Sequence, residues 1–398
     1  MFDVLFGLLL GLLSGVLPGI HTNTIVALLM RSGMGTVSLL TTIVVLACAR
    51  VVFELVQAVF LAIPDETTVV SVLPGHRLLL EGRGFYALSL CVLASLLALV
   101  FTVVLLPVSF FLFPLVFNII EPFMLYALVI ISILLLASER GMLRIAKAGL
   151  VFFLAGALGF VVLTFPVVRE PLFPSFSGLF ALSSMLIAAR GGVSIPKQRD
   201  RWVEINVRGI LFYVFIGVLL GLFADLFPGV SSPAQVAILA SVFLFLDAPK
   251  FLATTSAIAV SHTIYSFVSI WTIGKARTGA AVAVRDLVGG MGAEWVFYII
   301  ALAVVGIAVA SVLTLILGRP ILKLISGADA RKLNITLILY LLALVFVIEG
   351  ARGIMVAAVA TSIGVLPPML GVRRTHLMGL ILVPVILNAS GMFLYNAW

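Results

Sequence analysis

Two short segments combine a helix-breaking pair with a run of hydroxyl and amide side chains, and it is there that this sequence could do chemistry. One is Pro18-Gly19-Ile20-His21-Thr22-Asn23-Thr24. The other is Pro228-Gly229-Val230-Ser231-Ser232, with Gln235 close behind. Proline removes a backbone donor and glycine relaxes the backbone, so each pair should interrupt a helix. A helix restarting just beyond presents free N–H groups and the positive end of its dipole. Hydroxyls and amides beside those donors make an anion site without a formal charge. The plainer alternative is a pair of proline kinks whose hydroxyls bond their own helix.

Isolated ionisable residues form a second set. Arg50 and Glu54 lie four positions apart in an apolar run, so they share a helix face. Charges inside such a run are expensive and mark either a self-neutralising pair or a pathway. In the functional reading Arg50 attracts an anion and Glu54 carries a coupling proton. Asp225, three residues before Pro228, is a further candidate for cation or proton coupling, or a cap for the broken helix. Asp65 and Glu66 suit a cation or a solvated loop. They sit in a polar stretch that continues through Pro74-Gly75-His76-Arg77 to Gly84, and Trp271 to Thr278 holds the comparable later place. Both stretches read as hairpin tips, either entering a binding region or forming surface turns.

Enzyme signatures are thin. The four histidines, His21, His76, His262 and His376, lack metal-ligand spacing. No glycine-rich loop with a phosphate-binding lysine is visible. The expected cofactor list is therefore empty, apart from a coupling Na+ or H+. Ser231 or Ser232 with His262 as base leaves an intramembrane hydrolase open, while His262 is otherwise a satisfied core histidine.

The elements that must hold these residues are membrane-spanning helices. Of 398 residues, 63% are apolar and only 10% charged, against about a quarter charged in soluble domains. Mean hydropathy is +1.32. Stretches such as Ala87 to Pro107 and Ala293 to Leu317 lack any basic residue. Met1-Phe2-Asp3 has no basic region before its apolar run, so it predicts a first spanning segment rather than a cleaved signal. Cys48 and Cys91 read as small buried residues. The net charge of +8 comes from clusters in short loops: Arg140/Arg144/Lys147, Arg190 to Arg208, Arg319 to Lys332 and Arg373/Arg374. Counting crossings puts all four on one face, which the positive-inside rule makes cytoplasmic.

Landmarks recur in order. Pro18-Gly19 and Pro228-Gly229 stand 210 positions apart, preceded by Gly7, Gly11 and Gly15 in one case and Gly217, Gly221 and Ala224 in the other. Arg140-Gly141 matches Arg352-Gly353 at 212 positions, and Pro174 with Gly178 matches Pro367 with Gly371 at 193. Arg140 lies in an inside-facing basic cluster while Arg352 does not; Gly371 precedes two arginines while Gly178 does not. Equivalent positions thus face opposite sides, as in inverted-topology repeats. The expected fold is an all-α polytopic membrane protein of two such repeats, with broken or re-entrant helices at the Pro-Gly motifs. Its parts are residues 1–190, a basic cytoplasmic linker 191–208, and residues 209–398. Both termini should then be external to the cell membrane.

Gly11-x-x-x-Gly15-x-x-Pro18-Gly19, the Gly75 to Gly84 segment and Gly217-x-x-x-Gly221 to Pro228-Gly229 resemble the large membrane subunit of tripartite tricarboxylate transporters, especially its shorter archaeal-type members. The resemblance covers nearly the whole chain. It implies a permease in which the paired Pro-Gly loops, here Pro18 to Thr24 and Pro228 to Pro233, bind substrate carboxylates. The chain departs from the family pattern at Ile20-His21-Thr22-Asn23, where further small residues and glycine are usual. Ala224 to Ser232 is also similar to one short motif of the polyprenyl-phosphate translocases.

The leading expectation is a secondary transporter of an anionic, carboxylate-bearing solute, working by alternating access and not an enzyme. Its binding residues would be Pro18, Gly19, His21, Thr22, Asn23, Thr24, Arg50, Pro228, Gly229, Ser231, Ser232 and Gln235. Its coupling candidates would be Glu54, Asp65, Glu66 and Asp225. A lipid carrier phosphate is the alternative cargo, since a phosphate suits Arg50 and two helix N-termini equally well. Expected partners are that anion or lipid phosphate, membrane lipids and a second copy in a homodimer, with no nucleic acid.

Overall fold

A computed structural model of the chain describes residues 1–17, 22–61, 72–191, 196–198, 204–226, 247–289, 292, 294–326 and 330–391. Among them every element is helical, as the apolar runs predict. The first half holds α1 (Phe2–Val16), α2 (Thr22–Leu29) and α3 (Thr36–Val56), the last continued by a π-helical segment, Gln57–Leu61. It goes on with α4 (Val72–Leu80) and α5 (Gly84–Ile120), which passes through a 3₁₀ turn into α6 (Met124–Ala137). α7 (Met142–Thr164) follows, then α8 (Leu172–Phe176), which runs through π-helical Ser177–Leu182 into α9 (Ser183–Gly191). The second half holds α10 (Val207–Ala224), α11 (Ala248–Thr272), α12 (Gly279–Val288) and α13 (Glu294–Ile325). After these come α14 (Ala330–Leu370), a 3₁₀ turn (Arg374–Met378) and α15 (Gly379–Ala389). Gly350, at φ 67°, bends α14 into segments 330–349 and 351–370.

Eight helices among the described residues are long and apolar enough to cross a membrane. Two of them, Thr36–Leu61 and Ala248–Thr272, are 94% buried within the protein, whereas Asn334–Leu370 is only 17% buried. The first two carry the polar side chains, and the outer helices turn apolar groups such as Phe111 and Val347 outward. This division is the one lipid imposes: polar groups face protein, apolar ones the hydrocarbon.

Small residues let the inner helices approach closely. Gly7 and Gly11 of α1 rest on Thr42, Val45, Leu46 and Ala49 of α3. Gly217 and Gly221 of α10 rest on Thr254, Ala257, Ile258 and Ser261 of α11. The glycines differ by 210 positions and their neighbours by 212. Close backbone contact between small residues is how helices associate where water gives no drive.

Each inner helix then crosses to the other half. α3 packs along α13, with Thr41 Oγ1 2.8 Å from Tyr298 OH and Gly306 against Val45 and Cys48, so the two run parallel. α11 packs along α5: Cys91 meets Ser256, and the Tyr265 hydroxyl donates to the Thr102 carbonyl at 3.4 Å, again parallel. α5 and α13 are antiparallel, because Gly84 faces Leu322 and Leu88 faces Gly318. It follows that α3 and α11 point in opposite directions.

The outer layer repeats the exchange. α7 packs on α15, where the backbones of Gly159 and Gly379 meet the carbonyls of Leu380 and Phe152. The 351–370 segment packs on α8 and its continuation, where Gly364 and Gly178 meet the carbonyls of Leu179 and Ala357. Gly159 and Phe152 precede Gly364 and Ala357 by 205 positions each; Gly178 and Leu179 precede Gly379 and Leu380 by 201. The central linker is pinned by Gln198, whose Oε1 accepts from Gly84 N at 2.9 Å while its Nε2 donates to Leu79 O at 3.0 Å.

Candidate functional site

Both helices that lead toward a Pro-Gly motif, α1 and α10, have a carbonyl near their C-terminal end engaged by a side chain from another element. Gln57 Nε2 donates to Gly15 O at 2.7 Å, and lies 3.4 Å from Ser14 O. In the second half, Arg277 Nε donates to Asp225 O at 3.0 Å. A helix end leaves four carbonyls without intrahelical partners, so an end inside a membrane must find donors elsewhere. Gly15 and Asp225 stand 210 positions apart, like the prolines that follow them.

Pro18, Gly19 and His21, and likewise Pro228, Gly229, Ser231, Ser232 and Gln235, lie outside the described residues; so do Asp65 and Glu66. Beyond the first break the chain restarts as α2 at Thr22, which is buried, with Asn23 partly so; Thr24 continues the helix.

Arg50 and Glu54 form a buried pair along α3, Nη1 to Oε2 at 3.3 Å. Two opposite charges one helical turn apart cancel most of their field, so the pair need not meet an external ion. His262 stands where Arg50 stands: the backbone nitrogens of Arg50 and His262 lie 3.3 and 3.0 Å from the directions in which a Cβ would leave Gly11 and Gly221. His262 Nδ1 is 3.1 Å from Asp225 Oδ2, and both residues are enclosed. Among the described residues the Asp225 Oδ1 atom has no hydrogen-bond partner.

The two polar hairpins differ from expectation. α11 runs to Thr272, so Trp271 and Thr272 are helical and the tip is residues 273–278. Pro74 to Arg77 lie inside α4 rather than in a turn, because proline fits the first turn of a helix, where no backbone donor is needed. The second tip is ordered by Thr278, whose hydroxyl accepts from Ala281 N at 3.1 Å to cap α12 and lies 3.3 Å from Ser266 Oγ. Lys275 reaches Glu121 at 3.8 Å. Gly279 lies directly against the Asn23 side chain, whose end fills the space a Cβ would take. Asn23 therefore touches the start of α12, two residues beyond Arg277, and Arg277 in turn holds the C-terminal end of α10.

Two features escaped the reading of the residues. Arg277 was visible only as part of a basic tip. The other is a pair of buffered corners: Glu139 Oε1 accepts from Arg373 N at 2.8 Å and lies 3.1 Å from His376 Nε2, and Glu349 accepts from Arg169 N and Glu170 N at 2.8 and 3.0 Å. Arg374 adds a contact to Ser184. Cys48 and Cys91 are buried and unbridged, as expected.

The model of the tripartite tricarboxylate transporter TctA family matches residues 1–379. The chain belongs to that family. It is also 26% identical over 379 residues to an uncharacterized protein of Methanocaldococcus jannaschii, spanning 92% of this chain and 93% of that one. No solved structure matches. The TctA family is one of transporters for anionic tricarboxylates, not of enzymes, and the chain is a multi-pass membrane protein of that kind.

Proposed function

We propose that this TctA-family chain is a secondary transporter for a carboxylate-bearing anion, alternating its access around a polar centre between two inverted repeats. The repeats are residues 1–190 and 209–398, joined by the basic linker 191–208. Three contacts support the inversion: α3 and α11 run in opposite directions, each half lends its inner helix to the other, and the glycine contacts of α7/α15 recur at constant offsets in α8/α14. Inverted repeats of this kind place the binding site at their interface, where broken helices aim backbone dipoles at the cargo.

The observation that carries the reading is the meeting of Asn23 with the start of α12, two residues beyond Arg277, which in turn holds Asp225. Flanks of the two Pro-Gly breaks are thereby joined by one continuous row of polar groups. Pro18, Gly19, His21, Thr22, Asn23 and Thr24 on one side, and Pro228, Gly229, Ser231, Ser232 and Gln235 on the other, are assigned to the carboxylates. Arg50, paired with Glu54, stays assigned to the binding region as a dipole along α3 rather than as a free charge. Among the coupling candidates Glu54, Asp65, Glu66 and Asp225, we favour Asp225, whose Oδ1 is enclosed and takes no hydrogen bond. A proton or Na+ there would relieve repulsion as an anion arrives.

The test is thermal stabilisation of the purified protein by di- and tricarboxylates, followed by uptake into proteoliposomes under imposed H+ or Na+ gradients. Selective stabilisation and gradient-driven uptake of one carboxylate class are expected. Indifference to every carboxylate would remove the reading.

A further inference from the structure

We infer that Arg277 is the anchor for one carboxylate of the transported anion, an assignment that rests on the transport reading above. The argument begins with what the fold asks of this residue. The carbonyl at the end of α10 needs one donor, and Arg277 Nε supplies it at 3.0 Å. The corresponding carbonyl at the end of α1 obtains the same from Gln57, a neutral amide. A guanidinium therefore exceeds the structural need by a full charge and by two terminal NH₂ groups. No hydrogen bond to either of those groups is made within the described residues, and the side chain is more than half withdrawn from solvent.

The group is held still. Its Nε is fixed by the Asp225 carbonyl, and its planar end lies 5.9 Å from the centre of the Phe117 ring. The next residue, Thr278, is tied to Ala281 N and to Ser266. A fork fixed in this way has lost its rotamer freedom before any ligand arrives, and its two outer nitrogens match the two oxygens of a carboxylate. The carboxylates of Asp225 and Glu121 offset part of the cost of withdrawing this guanidinium from water, and an anion seated on the fork would offset more.

Neighbouring groups define what the anchor accepts. The nearby carboxylate, Asp225, faces His262 through Oδ2 and, among the described residues, hydrogen-bonds neither outer nitrogen of the fork, although its charge and that of Glu121 act on the guanidinium. Asn23 lies beside Gly279 and supplies an amide from the other half. A carboxylate seated on Arg277 would therefore lie beside groups from both halves of the chain.

Arg277→Gln tests this directly, because glutamine can replace the Nε donor as Gln57 does in the first half. The expected result is a ligand-free thermal midpoint close to that of the wild type, with affinity for the stabilising carboxylate reduced at least tenfold, as loss of a charge-assisted pair implies. Arg277→Lys, which keeps the charge but not the fork, should recover only part of it. Wild-type affinity in Arg277→Gln overturns the anchor alone; a wild-type protein that no carboxylate stabilises overturns the anchor together with the transport reading. Should the variants fail to fold, phenylglyoxal modification of the wild type decides, read at Arg277 by peptide mass spectrometry. Protection by the carboxylate supports the anchor, and equal modification with and without it overturns it.

Discussion

Glu139 and Glu349 do the same work at two places in the molecule, each for the half to which it does not belong. Glu139 receives the Arg373 N–H at 2.8 Å, ahead of α15, and Glu349 receives those of Arg169 and Glu170, ahead of α8. Backbone donors at the start of a helix have no intrahelical acceptor, and a carboxylate answers both their hydrogen bonds and the dipole.

Replacing either acid should loosen a whole corner. Glu139→Ala and Glu349→Ala should each destabilise the protein by about 1–3 kcal/mol, since each strands one partly enclosed N–H group, that of Arg373 or of Glu170. Thermal unfolding in detergent reads this out. Glu81→Ala provides the contrast, because its pair with Arg77 is exposed and should contribute little. Equal effects from all three would contradict the corner role.

Acid should weaken the Glu139 corner specifically. Burial alone would raise the Glu139 carboxyl, but the Arg373 N–H, the His376 hydrogen bond and the charges of His376 and Arg373 together hold it below its ordinary value. Burial pulls the His376 imidazole below 6.5, and the contacts with Glu139 recover only part of that. Both shifts have one sign. An unfolded chain takes up protons before the folded one, so stability is full above the ordinary histidine value and falls as the pH drops through it, then again through the carboxylate range. His376→Phe should flatten the first decline in a midpoint-versus-pH series. An unchanged slope would remove His376 from this account.

Two glycines in one helix should behave oppositely. The backbone of Gly159 lies on the Leu380 carbonyl, so Gly159→Ala forces α7 and α15 apart and should cost about 1–3 kcal/mol. Nothing approaches Gly149 in the same helix, and Gly149→Ala should stabilise by up to about 1 kcal/mol through the helix propensity of alanine. Denaturation of the two variants side by side is sufficient.

Asp225→Asn should separate binding from coupling. It keeps the shape beside His262 while removing the charge. Carboxylate-induced stabilisation should persist, and accumulation driven by an H+ or Na+ gradient should fall to the level of passive exchange. Gradient-driven uptake at the wild-type level would move coupling to another acid.

Orientation is open to a labelling experiment. With Cys48 and Cys91 buried, an impermeant maleimide should reach Asp3→Cys from outside the cell and Lys197→Cys only after the membrane is opened. The reverse pattern would invert the assignment drawn from the basic clusters.

Much of this arrangement was readable in the residues, for physical reasons that differ from case to case. The helices and their membrane setting follow from long apolar runs, which only a bilayer explains. Arg50 and Glu54 were found because spacing by four on one helix is a local property. The partnership of Asp225 with His262 spans 37 positions and two helices, and nothing local announces it. Applying the 212-position offset to Arg50 leads to His262, so that position was within reach of the repeat alone. Arg277 was not, because its task is performed by Gln57 in the first half, a residue of different type at a different offset. The roles of Glu139 and Glu349 had no local signal, since their ligands are backbone N–H groups that carry no sequence signature.

The exchange of inner helices has a consequence for how the molecule is made. α3 emerges early from the ribosome, yet the helix that covers it, α13, begins some 250 positions later, as the contact of Thr41 with Tyr298 across 257 positions records. During synthesis the face of α3 that carries Thr41, Val45 and Cys48 must wait in the bilayer or against the insertion machinery until the last third of the chain arrives. A truncated first half would therefore be an unfinished object rather than a smaller transporter, and quality-control proteases that recognise an unpacked membrane helix would find it readily.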